Sequence, residues 1–495
     1  MQHLLFGTAI VELIMALSEA QILAQNRWWT NSAWRGEDPH LTLLEAQPLR
    51  LGADFVTELD LRRPGIHILR GPRQVGKSTD LKLLVERALV AGHPPRSIIY
   101  LALDLLEDQS LSDFAVSVER AKGLAGGGDS PGLILLDEVT AVQRWQTAVK
   151  SLWDQGTISE DVVVCTGSSA IDLQRGAAER LPGRRGAGID HLVLPQSFAA
   201  FAYAVGDGIP PSPGLTVGAL CTPGGESLLR EMRLHGPALD AALRRYLRFG
   251  GLPAAVAEAL SGAHDPSARV KRMLEDSLTG EIQRRGASVS AAYALLERVV
   301  RSLGSKISWS AMAREMDVPL GGRGRPDHQT VRDYIELLAA GYFLFVAYFW
   351  RSGSQTNEQS RDKKVFFADP LLHTIALDHA PGLTADAAAL VENAIGAALL
   401  RRYESPDRLI ETFALPERLH IWQTARGGEI DFVCGPRREL DVVEVKYREQ
   451  PGLSAAHAAA RSHPGRPTVL ASKNTLHFGE RYTLIPAHTL LWALG

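Results

Sequence analysis

The chain has 495 residues, more than one ordinary hydrophobic core organises, so roughly two to four domains are expected. Hydrophobic residues make up 45% and charged residues 22%, near the globular average, which excludes long disorder as the default state. A formal net charge of -3 supplies no global field for nucleic acid, so any such contact must use a local basic patch.

Residues 4–17 are apolar, but they lack a basic leader, carry Glu12 in their middle and are too short to span a bilayer. A docking helix or an extra N-terminal turn is expected there, or an artefact of the assigned start, and no membrane partner. Cys165, Cys221 and Cys434 are widely separated, with neither disulfide-framework nor zinc-ligand spacing, so a cytoplasmic location is expected.

From residue 62 the pattern is strand, glycine loop, helix. Residues 66–69 are a short apolar run, and 78–90 carry Leu81, Leu84, Val85 and Leu89 at helical spacing. Between them Gly71, Pro72, Arg73, Gln74, Val75, Gly76, Lys77 and Ser78, followed by Thr79, satisfy the G-x-x-x-x-G-K-[ST] pattern in its required context. Glycines let backbone N–H groups curl around phosphate oxygens, and the helix N-terminus adds partial positive charge. Lys77 is expected to neutralise the β- and γ-phosphates of ATP, and the Ser78 hydroxyl to ligate Mg2+.

Further buried strands are predicted at 97–103, 133–136, 162–165 and 191–194, alternating with segments long enough for helices, which describes a parallel sheet with helices on both faces. The second of these ends in Asp137 and Glu138. Asp137 would hold Mg2+ and Glu138 would act as general base towards the attacking water, although solvated acids ending a strand are the plain alternative. Thr166 and Ser168, at the tip of the next strand, are candidates for sensing the γ-phosphate, against an ordinary strand-to-turn ending. The loop holding Arg180, Arg184 and Arg185 offers an arginine finger, taken as Arg184, or simply surface arginine.

Glycine and proline cluster between 206 and 226, marking a boundary; helix-favouring sequence follows to about 348, and mixed helix and strand from 366 to 495. The aromatic run 342–350 reads as a buried strand pair. Near the end, 429–434 and 440–447 form a hairpin-like pair about Gly435-Pro436. Asp431 sits between core-facing Ile430 and Phe432, while Glu444 and Lys446 share one face of the partner strand.

With GPRQVGKST, LILLDEVT, TGSSA, LPGRR, LVLPQSFAAF, RYLRFGGLP, VENAIGAALL, GGEIDFV and VVEVKYRE in this order, the chain resembles prokaryotic AAA-superfamily ATPases with an ASCE-type P-loop core and a C-terminal domain of unknown function related to the PD-(D/E)xK nuclease fold. The resemblance implies a multidomain α/β protein: an N-terminal helical extension (1–45), a P-loop ATPase domain with flanking helices (46–205), a linker and helical lid (206–290), a winged-helix-like module (291–350) and a restriction-endonuclease-like α/β domain (351–495). In the winged-helix-like module, helices are expected at 307–316 and 329–339, and Arg323, Arg325 and Arg332 are candidates for phosphate contact. In the last domain the resemblance adds Glu392 to Asp431, Glu444 and Lys446 as a nuclease site able to hold a second Mg2+ or Mn2+, whereas a carboxylate near a helix N-terminus and a retained fold without cleavage remain open.

The leading expectation is a Mg-ATP-binding ATPase acting as a nucleotide-dependent switch or motor coupled to DNA or RNA through its C-terminal domains, and possible as a homo-oligomer. Two alternatives stand beside it. One is an ATP-gated metal-dependent nuclease; the other is a signalling or protein-remodelling ATPase with a non-catalytic nuclease-like scaffold.

Overall fold

The computed structural model describes residues 16–45, 54–106, 110–126, 131–167, 185–316, 327–350, 362–380, 382–384, 386–411, 413–423, 429–436, 439–449 and 467–495. Ser168, Arg180, Arg184, Arg323 and Arg325, and nearly all of the apolar segment 4–17, lie outside these residues.

The first sheet is parallel and five-stranded: β1 (Gly65–Arg70), β2 (Ile98–Ala102), β3 (Leu133–Asp137), β4 (Val162–Thr166) and β5 (Asp190–Leu192), ordered β2-β3-β4-β1-β5. Strands β1 to β4 are buried almost throughout, which is why they read as continuous apolar runs instead of alternating ones. Helices Leu111–Ala125 and Trp145–Asp154 pack on each other, whereas helix Lys77–Val90 packs on Pro39–Glu45 and Asp54–Glu58. Since the strands are parallel, the ends of β1, β3 and β4 emerge along one edge, and the P-loop, the acidic pair and Thr166 share it.

The N-terminal segment covers the edge strand β2. Asn26 exchanges hydrogen bonds with the Tyr100 backbone, its Nδ2 donating at 2.9 Å and its Oδ1 accepting at 2.7 Å, and the Trp28 and Trp29 indoles both donate to Ile98 O. An open edge is thereby closed.

Helices Phe198–Val205, Gly236–Phe249, Pro253–Leu260, Ala268–Arg284 and Val289–Ser302 follow, then Trp309–Glu315 and His328–Ala340, which pack together. Arg332 pairs with Glu336 one turn along its own helix at 2.7 Å.

The second sheet has eight strands: β6 (Leu344–Phe349), β7 (Lys363–Phe367), β8 (Leu419–Gln423), β9 (Glu429–Cys434), β10 (Asp441–Lys446), β11 (Thr468–Ser472), β12 (His477–Phe478) and β13 (Thr483–Pro486), ordered β12-β13-β11-β10-β9-β8-β6-β7. Pairing of β9 with β10 is antiparallel, as the hairpin pattern predicts. Strand β6, inside the range 291–350 assigned to the winged-helix-like module, pairs with both β7 and β8, so the 350/351 division falls between bonded strands. Ile430 and Phe432 are both buried but in separate apolar clusters, not in the one core their alternation implies, since the β8–β9 register shifts between His420 and Trp422. Helix Ala387–Tyr403 lies against β7, β8, β9 and β10 and is buried along most of its length. Gly396 is needed there, because a Cβ would sit 2.9 Å from the Phe432 ring.

Among the described residues no helix is long and apolar enough to cross a membrane.

Candidate functional site

Strand β1 delivers the chain into the glycine loop, and helix Lys77–Val90 leaves it with Gly76 as its N-cap. Gly71 (φ 143°) and Gly76 (φ 102°) both occupy backbone conformations that side chains disfavour, for different reasons. A Cβ on Gly71 would lie 2.0 Å from Val193 O beyond β5, whereas one on Gly76 would meet open space. The first glycine fits the loop against its neighbour strand, and the second leaves a concavity at a helix N-terminus, the anion-binding geometry the motif requires.

Lys77 is almost buried and donates from Nζ to Gly71 O at 3.0 Å and Pro72 O at 2.7 Å. Burial pulls its ammonium down to about 8, although the Glu138 and Asp137 carboxylates act to raise it. The two acids thus lie within electrostatic reach of the P-loop lysine even though β4 separates β1 from β3. Asp137 is itself oriented, since the Tyr100 hydroxyl on β2 donates to its Oδ2 at 2.8 Å and the Glu138 N–H to its Oδ1 at 3.0 Å. Lys82 lies 3.3 Å from the centre of the Tyr100 ring. Ser78 and Asp137 supply hard oxygen donors of the kind Mg2+ takes, so the residues present fit a magnesium nucleotide.

Thr166 is fully buried and its hydroxyl has no hydrogen-bond partner among the described residues. Gly167 passes so near Thr140 that a Cβ would lie 2.6 Å from that side chain. Arg185, adjacent to the Arg184 of the finger expectation, pairs with Asp190, as does Arg70 at 2.5 Å.

Sequence reasoning missed two further contributors. Helix Ala268–Arg284 reaches the P-loop: a Cβ on Gly280 would lie 3.2 Å from the Arg73 guanidinium. Burial and then Arg284 hold the Arg73 guanidinium below its usual pKa, opposed by Glu281 and Glu138, and it remains charged. The other is a cleft of about 850 Å³ lined by Val75, Gly76 and Thr79 on the P-loop side, by Phe55 and Pro253, and by Arg401 from helix Ala387–Tyr403. Glu404, Leu409 and Ile410 complete that last wall. No local pattern in the sequence marks these residues, because chain segments far apart meet only in the fold.

The same walls are bonded together. Arg401 donates to Pro195 O at 2.7 Å, and the Gly250-Gly251 turn is held between two neighbours. Gly251 N–H donates to Asp369 Oδ2 at 2.8 Å, while Gln196 N–H donates to Gly251 O at 2.7 Å. A Cβ on Gly251 would lie 1.9 Å from Gln196 O.

In the second sheet Asp431 and Glu444 do meet. Val445 N–H donates to Asp431 Oδ2 at 2.8 Å, Asp431 N–H donates to Glu444 Oε2 at 3.3 Å, and Lys446 pairs with Glu444 at 2.5 Å. Among the described residues Glu392 is bridged to Asp431 by Lys364, which sequence reasoning did not single out. Burial, then Asp431, pushes Glu392 up to about 8 and Glu444 up to about 7. Among the described residues no group of three or more His, Cys, Asp or Glu is arranged to hold a metal ion.

Comparison with known proteins matches residues 63–202 to the family model of an AAA domain and residues 240–381 to a model described as a domain of unknown function. Two curated relatives, short chain dehydrogenases mpl6 of Monascus purpureus and citE of Monascus ruber, are each 29% identical over 128 residues, 25% of this chain. The chain spans 40% of their length. Similar solved structures include the Walker-type ATPase paby2304 of Pyrococcus abyssi, at 15% identity and TM-score 0.38 over 63% of this chain and 91% of that one. The Aeropyrum pernix ORC2 protein in ADPNP-ADP complexes is 12% identical, with TM-score 0.35 over 70% and 94%. ORC1 of the same organism, in complex with DNA, is 15% identical, with TM-score 0.28 over 72% and 97%. From the family match and the parallel five-stranded sheet, the chain contains an AAA-type P-loop ATPase domain.

Proposed function

We propose that the protein binds and hydrolyses Mg-ATP and works as a nucleotide-dependent switch whose state is passed to its C-terminal domain. The observation that carries this reading is the cleft beside Gly76 and Thr79, one wall of which is Arg401, Glu404, Leu409 and Ile410. A nucleotide with its phosphates in the P-loop would place its base and ribose in that cleft, so both domains would touch one ligand.

Within this reading the residues take separate roles. Backbone N–H groups of 71–78 and the Lys77 ammonium hold the phosphates, and Ser78 with Asp137 would hold Mg2+, which when bound supplies charge neutralisation between the phosphate oxygens. Glu138 takes a proton from the attacking water. Arg73 and Arg284, brought near each other by helix Ala268–Arg284, place positive charge where the transferred phosphoryl group becomes most negative. Thr166 offers at the same edge a hydroxyl with no hydrogen-bond partner among the described residues.

The nuclease-like resemblance of the last domain makes DNA or RNA the partner to test, with binding at a site other than the Glu392, Asp431, Glu444 cluster. A second reading, a signalling or remodelling ATPase with a non-cleaving scaffold, is favoured by the Lys364 ion pairs within that cluster. ATP turnover of the full chain with and without DNA and RNA, alongside Glu138→Gln, tests the first reading. Turnover that is lost in Glu138→Gln and rises with nucleic acid supports it. Turnover indifferent to nucleic acid selects the scaffold reading, and absence of turnover in the unmodified protein removes both.

A further inference from the structure

The carboxylate cluster of the eight-stranded sheet already contains a cation. Lys364 Nζ lies 2.8 Å from Glu392 Oε1, 2.8 Å from Glu429 Oε1 and 2.9 Å from Asp431 Oδ1, and its side chain is 1% exposed. Strands β6 and β8 lie between β7, which carries Lys364, and β9, which carries Asp431. Three strand spacings in a flat sheet amount to about 14 Å, beyond the reach of the two side chains, so the sheet must curve around helix Ala387–Tyr403 to bring them together. The ammonium is thus placed by the fold.

A divalent ion would take oxygens of one or two of these carboxylates at about 2.0–2.1 Å, with waters completing its shell. In this cluster the oxygens converge on nitrogen instead. Glu444, the remaining acid, is taken by Lys446 and by the Asp431 N–H. Entry is narrowed by residues 304–307: a Cβ on Gly304 would lie 3.1 Å from Glu392 Oε2, and Lys306 Nζ is 3.9 Å from Glu429 Oε2. That segment is fastened to β7 by reciprocal backbone bonds between Ile307 and Lys363 at 2.8 and 2.9 Å. Because neighbouring residues of a strand face opposite ways, Lys363 instead lies over Trp309, 4.5 Å from the ring centre.

We propose that Lys364 is the resident cation of this cluster, so that these carboxylates do not hold a catalytic divalent ion and the C-terminal domain does not cleave nucleic acid through them. A fixed ammonium neutralises the acids and joins helix Ala387–Tyr403 to β7 and β9. It has no open coordination position in which to bind and activate a water. Lys446, paired with Glu444, then serves the same internal network instead of orienting a nucleophile.

The test is Mn2+ uptake by the full chain without nucleotide, followed by calorimetry and by the electron paramagnetic resonance of free Mn2+. Wild type and Asp431→Asn are expected to take up the same amount. Lys364→Met is expected to gain about one Mn2+ per chain, a gain that Asp431→Asn removes in the same background. A Mn2+ held by wild type and lost in Asp431→Asn overturns the proposal, as does a folded Lys364→Met that gains none. If Lys364→Met does not fold, the wild type against Asp431→Asn comparison decides alone. Neither arm uses nucleotide, so the P-loop reading stands or fails separately.

Discussion

The Tyr100 hydroxyl donates to Asp137 Oδ2 at 2.8 Å, so the acid at the tip of β3 is held in place by the strand beside it. Together with the Glu138 N–H on Oδ1, that bond orients the carboxylate that would meet magnesium. Tyr100→Phe should leave the fold intact while weakening Mg2+ dependence: the Mg2+ concentration for half-maximal ATP turnover is expected to rise about 10-fold, the worth of one hydrogen bond to a charged group. An unchanged Mg2+ titration would show that Asp137 does not act on the metal.

Gly71 is the tightest point of the phosphate loop. Gly71→Ala would push a methyl group into Val193 O and strain a φ of 143°. A loss of about 1–3 kcal/mol in unfolding free energy, with nucleotide binding lost as well, is expected from denaturant titration and binding measured together. Gly76→Ala, whose Cβ would meet open space, should cost stability only through its φ of 102° yet still disturb the anion cradle.

Coupling between the domains should run through Arg401 and the Gly250-Gly251 turn. Arg401→Ala removes the bond to Pro195 O and part of the cleft wall, and is expected to weaken ATP binding by about 3- to 10-fold. In hydrogen exchange, ATP should slow the amides of 401–411 and 250–252 in wild type. A protection pattern confined to residues 65–167 would show that the C-terminal domain does not respond to nucleotide.

The acid cluster makes a pH prediction. Glu392 is raised by burial and Asp431 to about 8, from a usual carboxyl value of 4.5, so between those values the folded state binds more protons than the unfolded state. Its contribution to stability is therefore complete below about pH 4.5 and is lost as pH rises towards 8. Glu392→Gln keeps a neutral side chain at every pH. Its melting temperature relative to wild type should thus improve steadily from pH 5 to pH 8, and a flat difference would contradict the raised value. Removing Lys364 acts the other way: Lys364→Met leaves the buried Asp431 carboxylate without its ammonium partner and should cost about 3–5 kcal/mol at neutral pH.

The first sheet was legible because its strands are buried on both faces and read as unbroken apolar runs, and because the G-x-x-x-x-G-K-S pattern between β1 and its helix lies in eight consecutive residues. The position of Asp137 and Glu138 at the end of β3 was legible for the same local reason. Lys364 was not, since it meets Asp431 across 67 residues of chain and no spacing rule connects an edge-strand lysine to a distant hairpin. Nor was the cleft wall formed by Arg401 and Leu409, or the reach of Gly280 and Arg284 to Arg73, each of which exists only once separate helices have packed. The division at 350 missed for a related reason: the run 342–350 reads as a buried strand pair, but it holds one strand, β6, whose partners β7 and β8 lie on the far side of the proposed boundary.

Calorimetric titration of the full chain with ATP and Mg2+ reads the anion cradle without passing through any later step. One nucleotide bound per chain, with binding reduced at least 100-fold in Lys77→Ala, is the predicted result. No uptake by the wild-type chain, or equal uptake by Lys77→Ala, would contradict the assignment of residues 71–78 and the acid pair as one site.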